Sequence, residues 1–484
     1  MARPKFVKLA PQPPRRWQPL LGERWEAVRE AAERARERYR GRAIWHVSST
    51  LRGGGVAEML LSLLPYVRGA GIDTRWVVVR ERPEFFALTK RLHNLLHEAG
   101  EPGRLGAAER RLYEETRVDG GGHLAALVRR GDVVFLHDPQ TAGLAAVARA
   151  AGATTVWRCH VGVDRPGPAA RAAWEFLVPY LADVDACVFS RREYVWDLLD
   201  PARAHVMAPS IDPFSPKNEE LGVATVEAIV DAIGLGAEPN GWAPAFVRAD
   251  GTPGRIERRA TVLQEQPLWP GTPAVVQVSR WDRLKDHLGL LRCFATALAA
   301  AKPRTSPDSG SNRGLAHLVL AGPASEAVAD DPEGVAVWGQ VREAWRQLAE
   351  PTRSRVHLVS LPMDDLDENA AMVNALQRRA DVVVQKSLAE GFGLTVAEAM
   401  WKRRPVVGAR VGGIQDQIVN GVSGLLVDPG DEAAVAAAVS SLLADPGRAA
   451  ALGEAARERV VDRYLGAVRL AEYAELLAAL EAAR

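Results

Sequence analysis

Lys386-Ser387-Leu388-Ala389-Glu390-Gly391-Phe392-Gly393-Leu394-Thr395-Val396-Ala397-Glu398-Ala399-Met400 is the stretch that decides the fold. Ahead of it, Asp381-Val382-Val383-Val384 reads as a buried strand. Behind the two glycines, Val396 to Met400 reads as a helix. A strand that enters a helix through a glycine-punctuated turn is half of a βαβ unit. The carboxyl end of such a strand is where open α/β sheets bind ligands. Gly391 and Gly393, with Phe392 and Leu394 beside them, let backbone N–H groups approach an anion at the helix N-terminus. Glu390 stands at the rim of that turn, and Glu398 projects from the helix about two turns on. Carboxylates so placed suit sugar or ribose hydroxyls, which need strong acceptors.

The same alternation extends outward in both directions. Towards the carboxyl end, strands are predicted at 405–409 and 424–427, followed by Ala-rich helices over 431–484. Towards the amino end come strands at 355–360, 316–321 and 274–278. The stretch 209–272 breaks the rhythm with Pro, Gly, Asn and charges around one helix at 219–233, and a linker is expected near 207–218. Before it, strands are predicted at 43–47, 75–79, 132–136, 154–159 and 186–189, with helices between them. Two such series predict an α/β protein with two Rossmann-like doubly wound domains. Residues 1–20 hold five prolines and are expected as an irregular arm, and 22–40 as a solvated surface helix. Lys302 to Gly314 is expected to be a mobile loop.

Several further groups fall at predicted strand ends. Ser279-Arg280-Trp281-Asp282-Arg283-Leu284-Lys285-Asp286 follows strand 274–278. Arg280 and Lys285 there suit a diphosphate, the first through its planar fork and the second as a point charge. Gly54 and Gly55, in a Gly-Gly-Gly turn opening a helix, offer unobstructed peptide N–H groups to a phosphate. The turn is neither a Walker loop nor a full dinucleotide fingerprint. His137-Asp138-Pro139-Gln140 and Arg158-Cys159-His160 end two strands of the first half, and Asp138, Gln140, Arg158 and His160 are candidate sugar contacts. His46 is assigned no role. Gly412-Gly413-Ile414 and the turn at 421–427 are taken as architectural, and most of the 13 tryptophans as core.

Composition excludes several classes. At 484 residues the chain is too long for one ordinary core. A net charge of +1 gives no reason to expect nucleic acid or a membrane surface as partner. No apolar run reaches the roughly 18 residues a spanning helix needs. Three cysteines with no metal or disulfide spacing fit a reducing cytoplasm.

The segment Glu390 to Glu398, followed by Arg404-Pro405-Val406-Val407, Gly412-Gly413-Ile414 and Gly421 to Val427, resembles the donor domain of family 4 retaining glycosyltransferases. Ser279-Arg280 with Lys285-Asp286 completes that pattern. Arg404 departs from it, since glycine is usual before that proline. Trp45-His46-Val47-Ser48-Ser49-Thr50 with Gly53 to Leu60 is similar to the trehalose glycosyltransferring synthases. So are Pro83-Glu84-Phe85-Phe86, His137 to Gln140, Trp157 to His160, Pro209-Ser210-Ile211-Asp212-Pro213 and Asp330 to Gly334.

The resemblance implies a GT-B fold, its two domains facing across a cleft. An acceptor domain would span 41–208, preceded by the arm and helix of 1–40 and completed by helix 466–484. A nucleotide-sugar domain would span 209–465. It implies a retaining, reversible transfer from nucleoside diphosphate glucose to free glucose, giving α,α-trehalose. Glu390 would hold donor-glucose hydroxyls, Glu398 the ribose, and His160 the donor sugar near its anomeric centre. No cofactor and no essential metal are expected, and a homodimer is compatible with the family. The alternatives are a trehalose phosphorylase, a related transferase with another acceptor, and a non-catalytic sugar or nucleotide sensor.

Overall fold

The computed structural model describes residues 5–50, 55–79, 81–101, 103–237, 241–298, 314–324 and 332–483. Gly54, Asp330-Asp331 and all but the last residue of the 302–314 loop lie outside them. The chain divides into two compact units, one of residues 1–211 with 463–484 and one of residues 212–462.

The first unit is built on strands β1 (Lys5–Val7), β2 (Ile44–Ser48), β3 (Thr74–Val78), β4 (Val133–His137), β5 (Thr154–Cys159), β6 (Ala186–Phe189) and β7 (Ala204–Val206). They lie in the order β1-β3-β2-β4-β5-β6-β7. All pair in parallel except β1, which runs antiparallel to β3. Parallel strands covered on both faces carry apolar side chains on both, and here alternate residues feed two cores. Trp45, Leu136 and Trp157 point to one. Ile44, Phe135 and Val156 point to the other, where helix Gly466–Ala482 contributes Leu476 and Leu477.

Two expectations for the amino end change. Residues 5–7 are not irregular but add an edge strand, since Lys5 to Val7 carries no proline to interrupt its pairing with β3. Helix Trp25–Arg38 is not simply solvated. Val28, Ala31, Ala32 and Ala35 are buried, and Arg38 and Arg42 reach Glu481 of the last helix at 3.2 and 2.7 Å.

The second unit holds β11 (Ala274–Val278), β12 (His317–Pro323), β13 (Val356–Leu361), β14 (Val382–Gln385), β15 (Val406–Ala409) and β16 (Leu425–Val427) as a parallel sheet, order β13-β12-β11-β14-β15-β16. That is the 3-2-1-4-5-6 arrangement of a Rossmann sheet, whose strand order reverses between β11 and β14. The irregular 209–272 region supplies helix Val223–Ala232, a small hairpin of β8 (Ala245–Val247) and β9 (Pro253–Arg255), and edge strand β10 (Thr261–Leu263), antiparallel to β13. Trp157 and Trp281 are both core residues.

Candidate active site

Two clusters lie at carboxyl strand ends, one in each unit. In the second unit the loops after β11 and β14 emerge side by side at the switch point. Gln277, fully buried in β11, ties them together. Its amide donates to the carbonyl of Lys285 at 2.9 Å, and its oxygen accepts from the N–H of Lys386 at 3.2 Å. Leu388 N–H adds a bond to Leu284 C=O at 2.7 Å.

These ties bring Lys285 Nζ to 2.5 Å from Glu390 Oε2, with both side chains mostly buried. Ser387 Oγ donates to the same carboxylate oxygen at 3.2 Å and accepts from Gln385 at 3.0 Å. Arg280 lies nearer solvent, with Asp282 at 3.4 Å. Asp286 pairs with the buried Lys386 and caps the next helix through Gly289 N–H.

The turn carrying Glu390 depends on two glycines. Gly393 has φ +83°, a left-handed conformation that favours glycine, and caps helix Leu394–Trp401. Gly413 lies so close that a Cβ would stand 2.6 Å from Phe392 Cα. Gln417 closes the packing by donating to Phe392 C=O at 2.6 Å. Phe392 is buried, and Gly391 and Leu394 retain some exposure.

Glu398 is buried on the following helix, its Oε1 3.8 Å from Lys217 Nζ. Below it Lys402 is also buried. Its ammonium donates to Asn218 Oδ1, Gln377 Oε1 and Glu398 C=O at 2.9, 2.8 and 3.2 Å. Burial drives the Lys402 pKa well down, opposed by the charge of Glu398.

In the first unit, parallel register sets β2, β4 and β5 side by side. His46, His137 and His160 form a row across them. His46 Nδ1 is 3.1 Å from His137 Nε2, and His137 Nδ1 is 3.3 Å from His160 Nε2. Asp138 sits at φ +63° and accepts the His160 N–H at 2.8 Å. Burial raises its pKa to about 7, although the His160 N–H and Arg158 pull it the other way. Gln140 Oε1 is buried and takes no hydrogen bond. Arg158 is 1% exposed and donates to Met207 C=O at 2.7 Å. Gly55 is the first residue of helix Gly55–Gly69.

The structure thus groups Lys285 with Glu390 and the turn 391–394, and His160 with Asp138. Arg158 is buried behind them, its charge acting on His137, Asp138 and His160. Sequence reasoning passed over Gln277, Gln417 and His137. The available signal was a glutamine inside the apolar run Ala274 to Val278, where a buried amide must find partners. Among the described residues, no group of three or more His, Cys, Asp or Glu is placed to hold a metal ion. Among the same residues, no helix is long and apolar enough to cross a membrane.

Residues 46–196 match the family described as trehalose synthase, N-terminal domain, and residues 366–459 match glycosyl transferases group 1. A trehalose synthase of Rubrobacter xylanophilus is 35% identical over 404 residues, covering 83% of this chain and 82% of that protein. One from Pyrococcus horikoshii is 34% identical over 414 residues, covering 86% and 84%. Among solved structures, a UDP-forming α,α-trehalose-phosphate synthase of Burkholderia xenovorans is similar with a TM-score of 0.65 at 15% identity, over 91% of this chain and 100% of that one. At that identity the likeness shows the fold, which is GT-B. With relatives this similar along most of its length and a group 1 glycosyltransferase domain in its second unit, the chain belongs to the trehalose synthase family of glycosyltransferases.

Proposed function

We propose that this hexosyltransferase makes α,α-trehalose reversibly from nucleoside diphosphate glucose and free glucose, with retention at the anomeric carbon. The observation that carries this is the Lys285–Glu390 pair at the switch point of the second unit, where two adjacent loops join a phosphate-type cation to a hydroxyl-type acceptor. Arg280, Lys285 and the N–H groups of the 391–394 turn neutralise the diphosphate as the glycosidic bond breaks, and each preorganised donor of that kind is worth about 2.7–4 kcal/mol.

Glu390 accepts from glucose hydroxyls and Glu398 from the ribose. His160 serves as a sugar contact of the first unit. The buried oxygen of Gln140 and the carboxyl of Asp138 suit sugar hydroxyls on the first unit. A donor phosphate oxygen takes the acceptor proton on the face the diphosphate leaves, so no second carboxylate nucleophile is required. Protein cations carry the leaving-group charge, so the reaction needs no metal or other cofactor.

The test is an assay of five nucleoside diphosphate glucoses with free glucose, following both trehalose and nucleoside diphosphate. Stoichiometric release of the two supports the proposal. Trehalose cleavage that requires inorganic phosphate and yields glucose 1-phosphate without nucleotide would replace it with a phosphorylase. Binding without turnover would leave a sensor.

A further inference from the structure

The histidine row has a property that its separate members lack. Each ring presents Nδ1 to the Nε2 of the next, at 3.1 and 3.3 Å, so the row has one polarity throughout. The three imidazoles lie end to end, with centroids 5.4 and 5.6 Å apart and planes 23° and 16° from parallel, and Phe135 stacks on His46 at 4.8 Å. Burial keeps the imidazoles neutral. It lowers the His46 pKa to about 3 and those of His137 and His160 well below their ordinary value, with Arg158 adding to the effect on the last two. Asp138 pins the His160 main chain, which fixes where that ring begins.

A neutral imidazole has one N–H and one lone pair. A bond between two ring nitrogens therefore needs the proton on one side only. If His46 carries its proton on Nδ1, His137 must accept on Nε2 and carry its own on Nδ1, and His160 must follow. If His160 carries its proton on Nε2, the same logic runs back to His46. A mixed row sets two N–H groups or two lone pairs face to face in a buried site.

We propose that His46, His137 and His160 form a tautomer lock in which all three rings carry the proton on the same nitrogen. His46 and His137 are then positioning residues. They decide whether the outer nitrogen of His160, Nδ1, offers a donor or an acceptor. The consequence for sugar binding rests on the function proposed above, whereas the coupling of the rings does not.

The experiment labels the full chain with 15N-histidine and reads ring-nitrogen shifts at neutral pH, assigning each ring by its loss in a single variant. The result expected is one tautomer across the row. His137→Leu is expected to lower kcat at least about tenfold, since a wrong tautomer can cost an enzyme as much as about 10⁴. His137→Asn, whose amide can donate to or accept from His160, is expected to restore most of that loss. Different tautomers within the wild-type row overturn the proposal, as does a folded His137→Leu protein with wild-type kcat. Should that variant not fold, His46→Phe carries the test. The His160 nitrogen shifts move if the row is coupled, and unchanged shifts overturn it. A chain that makes no trehalose from any nucleotide sugar would end the proposed reaction, yet the ring shifts would still decide this point.

Discussion

Replacing Lys285 by Met keeps most of the side-chain volume and removes the charge. The lysine ammonium lies 2.5 Å from Glu390 Oε2, with side-chain exposures of 12% and 13%. At an effective dielectric of about 20 the gross attraction at that separation is roughly 6–7 kcal/mol. Desolvating each ion costs several kcal/mol, so the net worth of the pair is small. The single variant nevertheless takes the ammonium donor from Glu390 Oε2, which also accepts from Ser387 Oγ. Leaving such a group under-satisfied costs about 1–3 kcal/mol of stability. On the function proposed, catalysis is expected to carry a separate loss of about 10²–10³ in kcat, because the leaving diphosphate would forfeit a preorganised cation.

A double-mutant cycle with Glu390→Gln separates the two effects. Stability, measured by denaturant unfolding, recovers in the double variant because neither charge is left alone. Turnover, measured as nucleoside diphosphate release with glucose as acceptor, does not recover. A folded Lys285→Met protein with kcat within about threefold of wild type would remove Lys285 from the diphosphate site, since the loss expected from such a donor is far larger. Recovery of turnover in the double variant would reduce Lys285 to a counter-ion.

Asp138→Asn is expected to flatten part of the pH dependence of stability. Burial raises the folded pKa of Asp138 from 3.8 to about 7. Its contribution is therefore fully present below 3.8 and is lost as pH rises through 7. Unfolding curves of wild type and variant between these pH values, if parallel, would refute this. Glu98→Ala should cost about 1–2 kcal/mol by uncapping helix Pro168–Leu177, because the carboxylate accepts from Gly167, Ala169 and Ala170 N–H at 2.9–3.1 Å. An unchanged denaturation midpoint would show that solvent caps that helix equally well. Transferase activity should survive exhaustive chelation, and a loss reversed by one divalent ion would show that Arg280 and Lys285 do not suffice.

The β-strand run and the glycine turn at 391–394 were legible because both are local. Period, length and punctuation reveal a buried strand wherever it sits, and only a few residue types permit a left-handed turn. Strand β1 was not legible, since three residues beside a proline-rich arm carry too little period to distinguish a strand from coil. Edge strand β10 escaped for the same reason. Lys285 and Glu390 were each recognisable as loop residues, but they stand 105 positions apart, and their pairing depends on the adjacency of β11 and β14.

The sequence by itself therefore determined the α/β alternation, the turn residues and the chemical character of the loops, because these follow from neighbours along the chain. Only the tertiary structure decided which loops share a site, that Gln277 clamps two of them, that Arg158 turns into the core, and that three histidines form one row. The physical reason is register. Parallel pairing of β2, β4 and β5 sets His46, His137 and His160 within hydrogen-bonding distance of one another, and no local pattern in the chain encodes which strands become neighbours.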